Sequence, residues 1–472
     1  MYLKKLLFLI IVVVFSCCNN IKNKHKTQEK PEALFVEKQV IKAPYYNEGD
    51  YFANSVTSNS RTLAVLKGTG IYDGGEEVII FFYEKGSNGT HRWILKDSIS
   101  NDLGVNQKLH IKSERIFTSN YLYKEKGNTV KDSNTGVIIT YLKNDRNKWV
   151  KEQTILPPSI DYNHFGKSIV FHDSIIYVLA LQYDLQYQTD KFNMVFKYLK
   201  GNNGWVINDS LDVGEYSGIS DELEQQNNYL ANGCIDCRSV ERLSWGKRFS
   251  GGKVDVYEKS LDESWIYKKS LGFKQTKSKD QFGTDVSIYA NQIAVGNPNR
   301  SLQYDTLPTR NLSYSEYKEV GSVCIYNLYD TSRFPIQEIF APDFGKQIKR
   351  HFGSKVILAK KYLFIGLSSS LDYDKSIDRD KDSLDSRGAI YVYKKQYNRW
   401  VFSQKIQPKS LHEIEQFGRS FNFNEELNEL TIGSNINFHN YYVDFSDNYV
   451  EKGEMFDVGK VYVFRLDTIN EN

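Results

Sequence analysis

Alternating apolar and polar residues recur in short runs along most of the chain, and they predict β-strands. One group of runs opens with glycine, as in GVIITYLK from Gly136, GKVDVYEK from Gly252 and GAIYVYKK from Gly388. Successive side chains of a strand point to opposite faces, so a period of two indicates a strand with one buried face. Continuous apolar runs such as YLFIGLS from Tyr362 recur in a fixed phase with them. These runs predict strands that are covered on both faces.

A further amphipathic run carries an aromatic residue near its start and occurs seven times. The aromatic residues are Phe35, Trp93, Trp149, Trp205, Trp265, Phe334 and Trp400. Each repeat of about 60 residues contains four predicted strands, and a repeat at such a period indicates an array of identical units. The sequence therefore predicts an all-β fold, a seven-bladed β-propeller of four-stranded blades, over residues 33–472.

The two ends of the repeat region predict how the ring closes. The chain starts with a lone fourth strand at 34–43 and ends, at 459–466, with a third strand that lacks its fourth. Pairing these two strands completes the last blade and covers two open strand edges. The N-terminal strand is therefore expected to close the ring.

Phe-Gly dipeptides open several repeats, at Phe165, Phe282, Phe352 and Phe417. The order of Phe-Gly, an apolar strand ending in Gly, and then a Gly-aliphatic-Tyr-Val-Tyr strand resembles the FG-GAP repeat of integrin α-subunit propellers and related bacterial propellers. The resemblance covers about residues 34 to 466. It implies a seven-bladed ring and no particular ligand.

The N-terminus predicts an exported, lipid-anchored protein. An apolar run from Leu6 to Phe15 follows two lysines and is too short to span a hydrocarbon core of about 30 Å. Val14-Phe15-Ser16-Cys17 resembles the lipobox of bacterial lipoproteins, which implies that residues 1–16 are a signal peptide and that Cys17 is lipidated. Two alternatives stay open, an ordinary signal peptide cut near Ser16 and an anchor at Cys18.

Residues 17–32 have no apolar periodicity and predict a flexible tether behind the lipidated cysteine. In lipoproteins of the Bacteroidetes type, an acidic stretch after the cysteine is associated with surface display, whereas this stretch is basic. We therefore expect an outer-membrane lipoprotein of a bacterial cell envelope, with the periplasmic and surface-facing orientations both open. Membrane contact is expected through the lipid anchor only.

Composition narrows the classes of partner. The formal net charge of +3 argues against nucleic acid binding. The hydrophobic fraction of 40% argues against disorder and against a multi-span membrane protein. No nucleophile elbow, metal-binding His pair or phosphate loop is found in the sequence. A monomeric propeller with a protein or glycan ligand fits these observations.

Connections between the second and third strands are long in four repeats, at 231–251, 297–320, 367–387 and 433–457. They share one face of a propeller, and long connections on one face of a rigid scaffold often carry recognition. The candidate ligand-binding residues in them are Tyr304, Tyr314, Tyr317, Tyr373, Phe438, His439, Tyr441 and Tyr442. Aromatic residues suit a protein or sugar surface, and they also suit a loop that packs on itself.

The connection at 367–387 contains alternating aspartates, Asp378, Asp380 and Asp382, followed by Asp385. Carboxylates at this spacing are compatible with Ca²⁺, which prefers six to eight oxygen ligands. The alternative is a solvated acidic loop, because Ser383 stands where FG-GAP calcium loops have glycine and the connection differs from theirs. Ca²⁺ is the one cofactor that the sequence brings into consideration.

Three cysteines follow the tether. Cys234 and Cys237 lack the βαβ context of a redox motif and the further ligands of a zinc site, so we expect a local disulfide in an exported protein. Cys324 lies on a strand and is expected to be a buried thiol.

Two functions follow from these features. The first is a non-enzymatic binding module that takes a protein or glycan through the long-loop face. The alternative is a carbohydrate-active enzyme, a polysaccharide lyase or glycoside hydrolase, which needs ionisable groups that converge at the propeller axis. A flat or apolar axial surface would count against the enzyme.

Overall fold

The fold is known from a computed structural model, which describes most of the predicted repeat region. The described residues are 33–45, 50–68, 78–86, 91–101, 103–104, 107–124, 135–159, 161–172, 174–184, 189–215, 220–235, 237, 251–273, 280–302, 318–343, 351–368, 388–408, 415–436 and 459–468.

Seven antiparallel sheets form the blades of the propeller, and each contributes a first strand nearest the axis. The first strands are β2 (Tyr51–Ser58), β6 (Gln107–Lys112), β10 (Tyr162–Asn163) with β11 (Ile169–His172), β15 (Ser220–Gln226), β19 (Val286–Tyr289), β25 (Phe352–Leu358) and β29 (Glu415–Asn424). The second strands are β3 (Thr62–Gly68), β7 (Arg115–Asn120), β12 (Ile175–Asp184), β16 (Tyr229–Cys234), β20 (Gln292–Asn297), β26 (Tyr362–Leu367) and β30 (Glu429–Ile436).

The third and fourth strands complete each blade toward its outer rim. The third strands are β4 (Val78–Lys85), β8 (Val137–Lys143), β13 (Thr189–Gly201), β17 (Lys253–Lys259), β23 (Ser322–Asn327), β27 (Ala389–Gln396) and β31 (Lys460–Thr468). The fourth strands are β5 (Trp93–Asn101), β9 (Trp149–Ile155), β14 (Gly204–Glu215), β18 (Trp265–Leu271), β24 (Gln337–Ile339), β28 (Arg399–Ile406) and β1 (Ala33–Lys42). The predicted seven-bladed architecture is therefore confirmed.

Ring closure follows the prediction as well. In the last blade the strand order is β1-β31-β30-β29, so the first strand of the chain is the outermost strand of the last blade. Contacts group Glu37–Arg465 as one unit, while Met1–Val36 and Leu466–Asn472 form a second.

The structure refines the expected strand and loop boundaries. The second strands continue to Cys234 and Ile436, so the connections predicted at 231–251 and 433–457 begin later than expected. The connection after β20 contains a two-stranded ribbon of its own, β21 (Ser301–Leu302) with β22 (Lys318–Glu319). The fourth strand β24 is short because Pro335, just before it, cannot donate a backbone hydrogen bond.

The apolar core lies between neighbouring blades, which explains why second strands are apolar on both faces. Leu363 and Ile365 of β26 are fully buried and pack in one cluster with Ala294 and Ile325 of the preceding blade. Burial of apolar area contributes about 25 cal/mol per Å², so these interfaces supply the main stabilisation of the ring.

Glycine residues of the repeat form the closest backbone contact between blades. Gly388 opens the third strand of the sixth blade and forms a parallel β-bridge with Phe417, the Phe of the next Phe-Gly pair. A Cβ atom at Gly388 would lie 2.1 Å from the carbonyl oxygen of Phe417, and its φ is +78°. The same bridge joins three other pairs of blades, Gly136 to Phe165, Gly252 to Phe282 and Gly321 to Phe352.

A second contact joins the outer strands of neighbouring blades. The side chain of Gln153 accepts a hydrogen bond from Trp205 N at 2.7 Å and donates one to Trp205 O at 3.1 Å. Gln39 forms the same pair of bonds with Trp93, and Gln337 forms it with Trp400. In the first two cases the glutamine lies four residues after the aromatic marker of its own repeat. At Phe35 and Trp149 the marker therefore places both a buried aromatic and a polar link to the next blade, whereas Phe334 is 38% exposed.

Substitution of Gly388 tests the importance of the glycine contact. We expect Gly388→Ala to lower the free energy of unfolding by about 3 kcal/mol or more, because an alanine is disfavoured at positive φ and its Cβ would clash with backbone. Gly201→Ala is the matched control, since the nearest atom to its Cβ would be 3.5 Å away and its φ is not positive. Urea unfolding of both variants gives the comparison, and equal losses would contradict this role for Gly388.

Candidate functional site at the propeller axis

Most of the residues that the sequence singled out lie outside the described part of the chain, and their roles stay predictions. They are Cys17, Tyr304, Tyr314, Tyr317, Tyr373, Asp378, Asp380, Asp382, Asp385, Phe438, His439, Tyr441 and Tyr442.

The cysteines of the repeat region are described. Cys234 ends β16, and the structure joins it to Cys237 by a disulfide with a Cα–Cα distance of 5.4 Å. Cys324 is a free, fully buried thiol on β23. Burial raises the pKa of the Cys324 thiol, so the reactive thiolate is disfavoured there.

The propeller axis is lined by a ring of polar side chains, one at or just before the first strand of each blade. In the regular repeats the ring residue lies three positions after the Phe of the Phe-Gly pair. The members of this axial ring are Ser55, Lys108, Ser168, Glu222, Asp285, Lys355 and Ser420.

Four members of the axial ring join neighbouring blades. Ser55 Oγ accepts a hydrogen bond from Leu109 N at 3.0 Å, and Ser168 Oγ accepts one from Leu223 N at 3.1 Å. Ser420 accepts from the first blade in the same way, and Asp285 accepts from the sixth. These side chains satisfy backbone groups that the first strands present to the next blade.

The other three members carry charge, and they belong to blades two, four and six. Lys108 Nζ lies 3.4 Å from Glu222 Oε2, and Ser168 Oγ donates a hydrogen bond to Glu222 Oε1 at 3.0 Å. Lys355 lies near enough to Asp285 to lower the pKa of that carboxyl, although burial outweighs this and raises it to about 6. Lys108 and Glu222 therefore pair across the axis between blades two and four, while Asp285 and Lys355 lie in adjacent blades.

Solvent reaches this ring even though protein surrounds it. Burial opposes the charge of Lys108, while Glu222 and Asp285 raise its pKa overall, so its surroundings are those of the protein interior. Yet 42% of the Lys108 side chain and 23% of the Glu222 side chain are accessible. This accessible surface shows that side chains do not fill the axis completely at this level, and we call the space the axial cavity.

One level further from the Phe-Gly end, two ionisable groups are held neutral. Burial, reinforced by Glu222 and Asp285, raises the pKa of Glu224 to about 8. Burial, reinforced by Lys108 and Lys355, lowers the pKa of His110 to about 3. Near neutral pH the Glu224 carboxyl is therefore mostly protonated and His110 is uncharged.

At the Phe-Gly end of the cavity lie Arg419, Tyr121 and His164. Burial lowers the pKa of Arg419, and Tyr121 opposes that shift. Tyr121 also contributes to the raised pKa of Lys108, and its ring centroid lies 5.8 Å from that of His164. Burial, together with Lys167, lowers the pKa of His164 to about 4. This end of the cavity, the cavity mouth, combines cations with aromatic rings.

The mouth and the long connections belong to the same end of the propeller. The start of each first strand pairs with the end of its second strand, as Phe352 pairs with Leu367 and Phe417 with Ser434. The connections to the third strands begin at those same strand ends. The axial cavity therefore opens on the face from which the predicted binding loops depart.

Sequence reasoning did not find the axial ring, because serine, lysine and acidic residues on a strand are ordinary in composition. The signal was the fixed spacing after each Phe-Gly pair, which places one residue of every blade at the axis. The sequence leaves open whether the axis is apolar or carries converging ionisable groups, and the structure shows converging ionisable groups.

The described residues contain neither a candidate metal site nor a candidate membrane-spanning helix. No group of three or more His, Cys, Asp or Glu side chains in that part of the chain is placed to hold a metal ion. Over the same described ranges, no helix has the length and apolar character needed to cross a membrane.

Comparisons with known proteins do not identify a family for this chain. No protein-family model matches the chain, and no curated protein matches it. Among solved structures, the crystal structure of the polysaccharide lyase Uly1 is similar at a TM-score of 0.48 and 12% identity, covering 93% of this chain and 100% of that one.

The raised pKa of Glu224 gives a prediction about stability. A carboxyl whose folded-state pKa is raised stabilises the fold below its unfolded pKa of about 4.5, and this contribution is lost as the pH rises through about 8. We expect Glu224→Gln to unfold like the wild type near pH 5 and to be more stable by about 1–2 kcal/mol near pH 8.5. This is less than about 1.4 kcal/mol per pKa unit would give, because Glu224 has partial contact with solvent.

Urea unfolding at both pH values makes the measurement, and Glu426→Gln on an exposed turn is the control that should follow the wild type. A pH-independent difference between the wild type and Glu224→Gln would contradict the assignment.

Proposed function

We propose that the protein is a lipid-anchored cell-envelope β-propeller that binds a glycan or protein ligand without chemical conversion, with the axial cavity at the centre of its binding site. The observation that carries this proposal is the axial ring itself. Its charged members Lys108, Glu222 and Lys355 are enclosed, partly accessible and convergent. Convergent polar groups in a cavity on a rigid scaffold are typical of ligand sites.

The long connections extend the proposed site. Their aromatic residues, from Tyr304 to Tyr442, would add contact area around the cavity mouth because these connections start at the same end of the propeller. A Ca²⁺ ion at Asp378, Asp380, Asp382 and Asp385 remains part of the proposal as an ordering element of one connection.

A carbohydrate-active enzyme is the second candidate, and a different observation favours it. Glu224 holds a proton near neutral pH, while Glu222 beside it is paired with Lys108. Two neighbouring carboxyls in different environments are what a glycoside-cleaving site needs, one as proton donor and one as base or nucleophile. Tyr121 at the mouth supplies a further group of the kind that lyases use as acid or base.

Affinity capture separates the two candidates. The full-length protein in detergent is incubated with solubilised native envelope and culture polysaccharide, beside Lys355→Met and the control Lys361→Met. Lys355 lies in the axial ring, whereas Lys361 is exposed at a turn at the opposite end of the same blade.

We expect one intact glycan or protein to be retained by the wild type and by Lys361→Met, and to be reduced about tenfold by Lys355→Met, because an enclosed charge contributes more than an exposed one. Release of shortened or unsaturated sugars would establish the enzyme instead. Equal retention of the ligand by all three proteins would contradict a binding site at the axis.

The proposed anchor has its own test. Cys17→Ser in the native host should shift the protein from the membrane fraction to the soluble fraction, because acyl chains supply about 0.8 kcal/mol per buried CH₂. Cys18→Ser is the matched control and should stay membrane-bound. If instead only Cys18→Ser becomes soluble, the anchor is Cys18, and if neither variant moves, the lipoprotein proposal is wrong.

A further inference from the structure

We propose that the cavity mouth is a subsite for the acidic group of a polysaccharide, with the guanidinium of Arg419 binding a carboxylate or sulfate. This inference rests on the proposed function and adds the chemical class of the ligand. It also identifies the residue that would select that ligand.

A β-bulge places Arg419 at the mouth. Phe417 pairs with Ser434 and Ser420 pairs with Gly433, so Gly418 and Arg419 are extra residues on β29. Bulges redirect side chains and are frequent next to functional sites. Arg419 is exposed to solvent, although the surrounding protein is close enough to lower its pKa.

Arg419 differs from the less exposed arginines of the described chain. Arg115 pairs with Glu152, Arg300 with Glu338, and Arg465 with Glu429, in each case through Nε within 3.0 Å of the carboxylate. Arg419 instead donates from Nη1 to the amide oxygen of Gln416 at 2.8 Å. Among the described residues no carboxylate forms an ion pair with it, so most of its five donors are free for a ligand.

Among the described residues near this guanidinium, lysines outnumber the carboxylates that are ionised near neutral pH. Lys108 and Lys167 lie at the same end of the first strands, and Glu222 is the described carboxylate that pairs with Lys108. Deeper in the cavity, Lys355 faces Asp285, while Glu224 is mostly protonated near neutral pH. A cavity with low-dielectric walls concentrates such a field, which favours an anionic ligand.

Neighbouring groups favour a glycan as the carrier of that anion. Tyr121 and His164 offer two rings whose centroids lie 5.8 Å apart, and rings of this kind pack against the apolar faces of sugars. A guanidinium binds carboxylate or sulfate through two parallel hydrogen bonds.

Titration calorimetry with short saccharides tests the inference on the full-length protein in detergent. The probes are a trigalacturonate, which carries carboxylates, a sulfated maltotriose, and plain maltotriose as the neutral probe of matched length. The variants are Arg419→Gln, Arg419→Lys and the control Arg146→Gln, whose arginine is exposed on an outer hairpin. Thermal unfolding of each variant establishes that the fold is retained.

We expect at least one acidic probe to bind the wild type more tightly than maltotriose, and the preferred probe to identify carboxylate or sulfate as the ligand group. Arg419→Gln should weaken that probe by about tenfold or more, because hydrogen bonds between charged groups are strong. Arg419→Lys should bind that probe with an affinity between those of the wild type and Arg419→Gln, since it keeps the charge and loses the paired donors. Arg146→Gln should bind like the wild type.

Three results would overturn the inference. Equal affinity for maltotriose, or acidic binding that Arg419→Gln leaves unchanged, would refute the anion subsite while leaving the proposed binding function in place. No saccharide binding, with a ligand still captured from the envelope in a Lys355-dependent way, would also refute the glycan subsite alone. Failure of both experiments would remove the proposed function with it.

Discussion

The contact on which this ring depends is the close approach of two backbones, which the described residues show at five of the seven blade boundaries. The third-strand glycine of one blade, such as Gly388, lies against the carbonyl of the next blade's Phe417, and the second-strand Gly366 lies against the carbonyl of Gly418. A Cβ at either position would come within 2.5 Å of that backbone. The Phe side chain then fills the apolar layer between the blades, since Phe417 is fully buried. One short motif thus fixes both the spacing and the angle of successive blades.

The same motif creates the functional surface. At the Phe-Gly pair the first strand bulges, because two residues are added relative to the second strand, as at Gly418 and Arg419. The strand then resumes its register at Ser420, which places that side chain at the axis. Each blade with such a bulge presents one residue at the mouth and one in the ring, and both can vary because neither forms the glycine contact. The scaffold stays constant while the chemistry at its axis is free to differ between blades.

The fold could be predicted from the sequence because each recurring residue type has a structural role in the repeat. Glycines, Phe-Gly pairs and outer-strand aromatics recur where backbone approach and blade packing demand them, and Trp93, Trp149 and Trp400 are accordingly buried. Strand ends were less predictable, because Pro335 shortens one strand and β16 and β30 run further than their composition indicated. The axial ring was not predicted, since its members share a position and not a residue type. Only the register of the bulge shows that Lys108 and Glu222 meet.

Charged groups away from the axis are paired within the fold, and the contrast with the axis supports the proposed site. Glu429 pairs with Lys85 at 2.8 Å and also with Arg465, and Trp93 donates to it, so its oxygens are well occupied by the fold. Glu152 is likewise shared between Arg115 and Lys200. These networks hold neighbouring blades together and leave little for a ligand.

At the axis, by contrast, the guanidinium of Arg419 faces solvent with donors to spare, and the Glu224 carboxyl keeps a proton that no neighbouring base removes. Burial of the Glu224 carboxyl carries a free-energy cost, whereas Ser55, Ser168 and Ser420 bond neighbouring blades at the axis without any charge. A cost of this kind is expected at a site maintained for binding or chemistry, and it supports the proposed binding site at the axis.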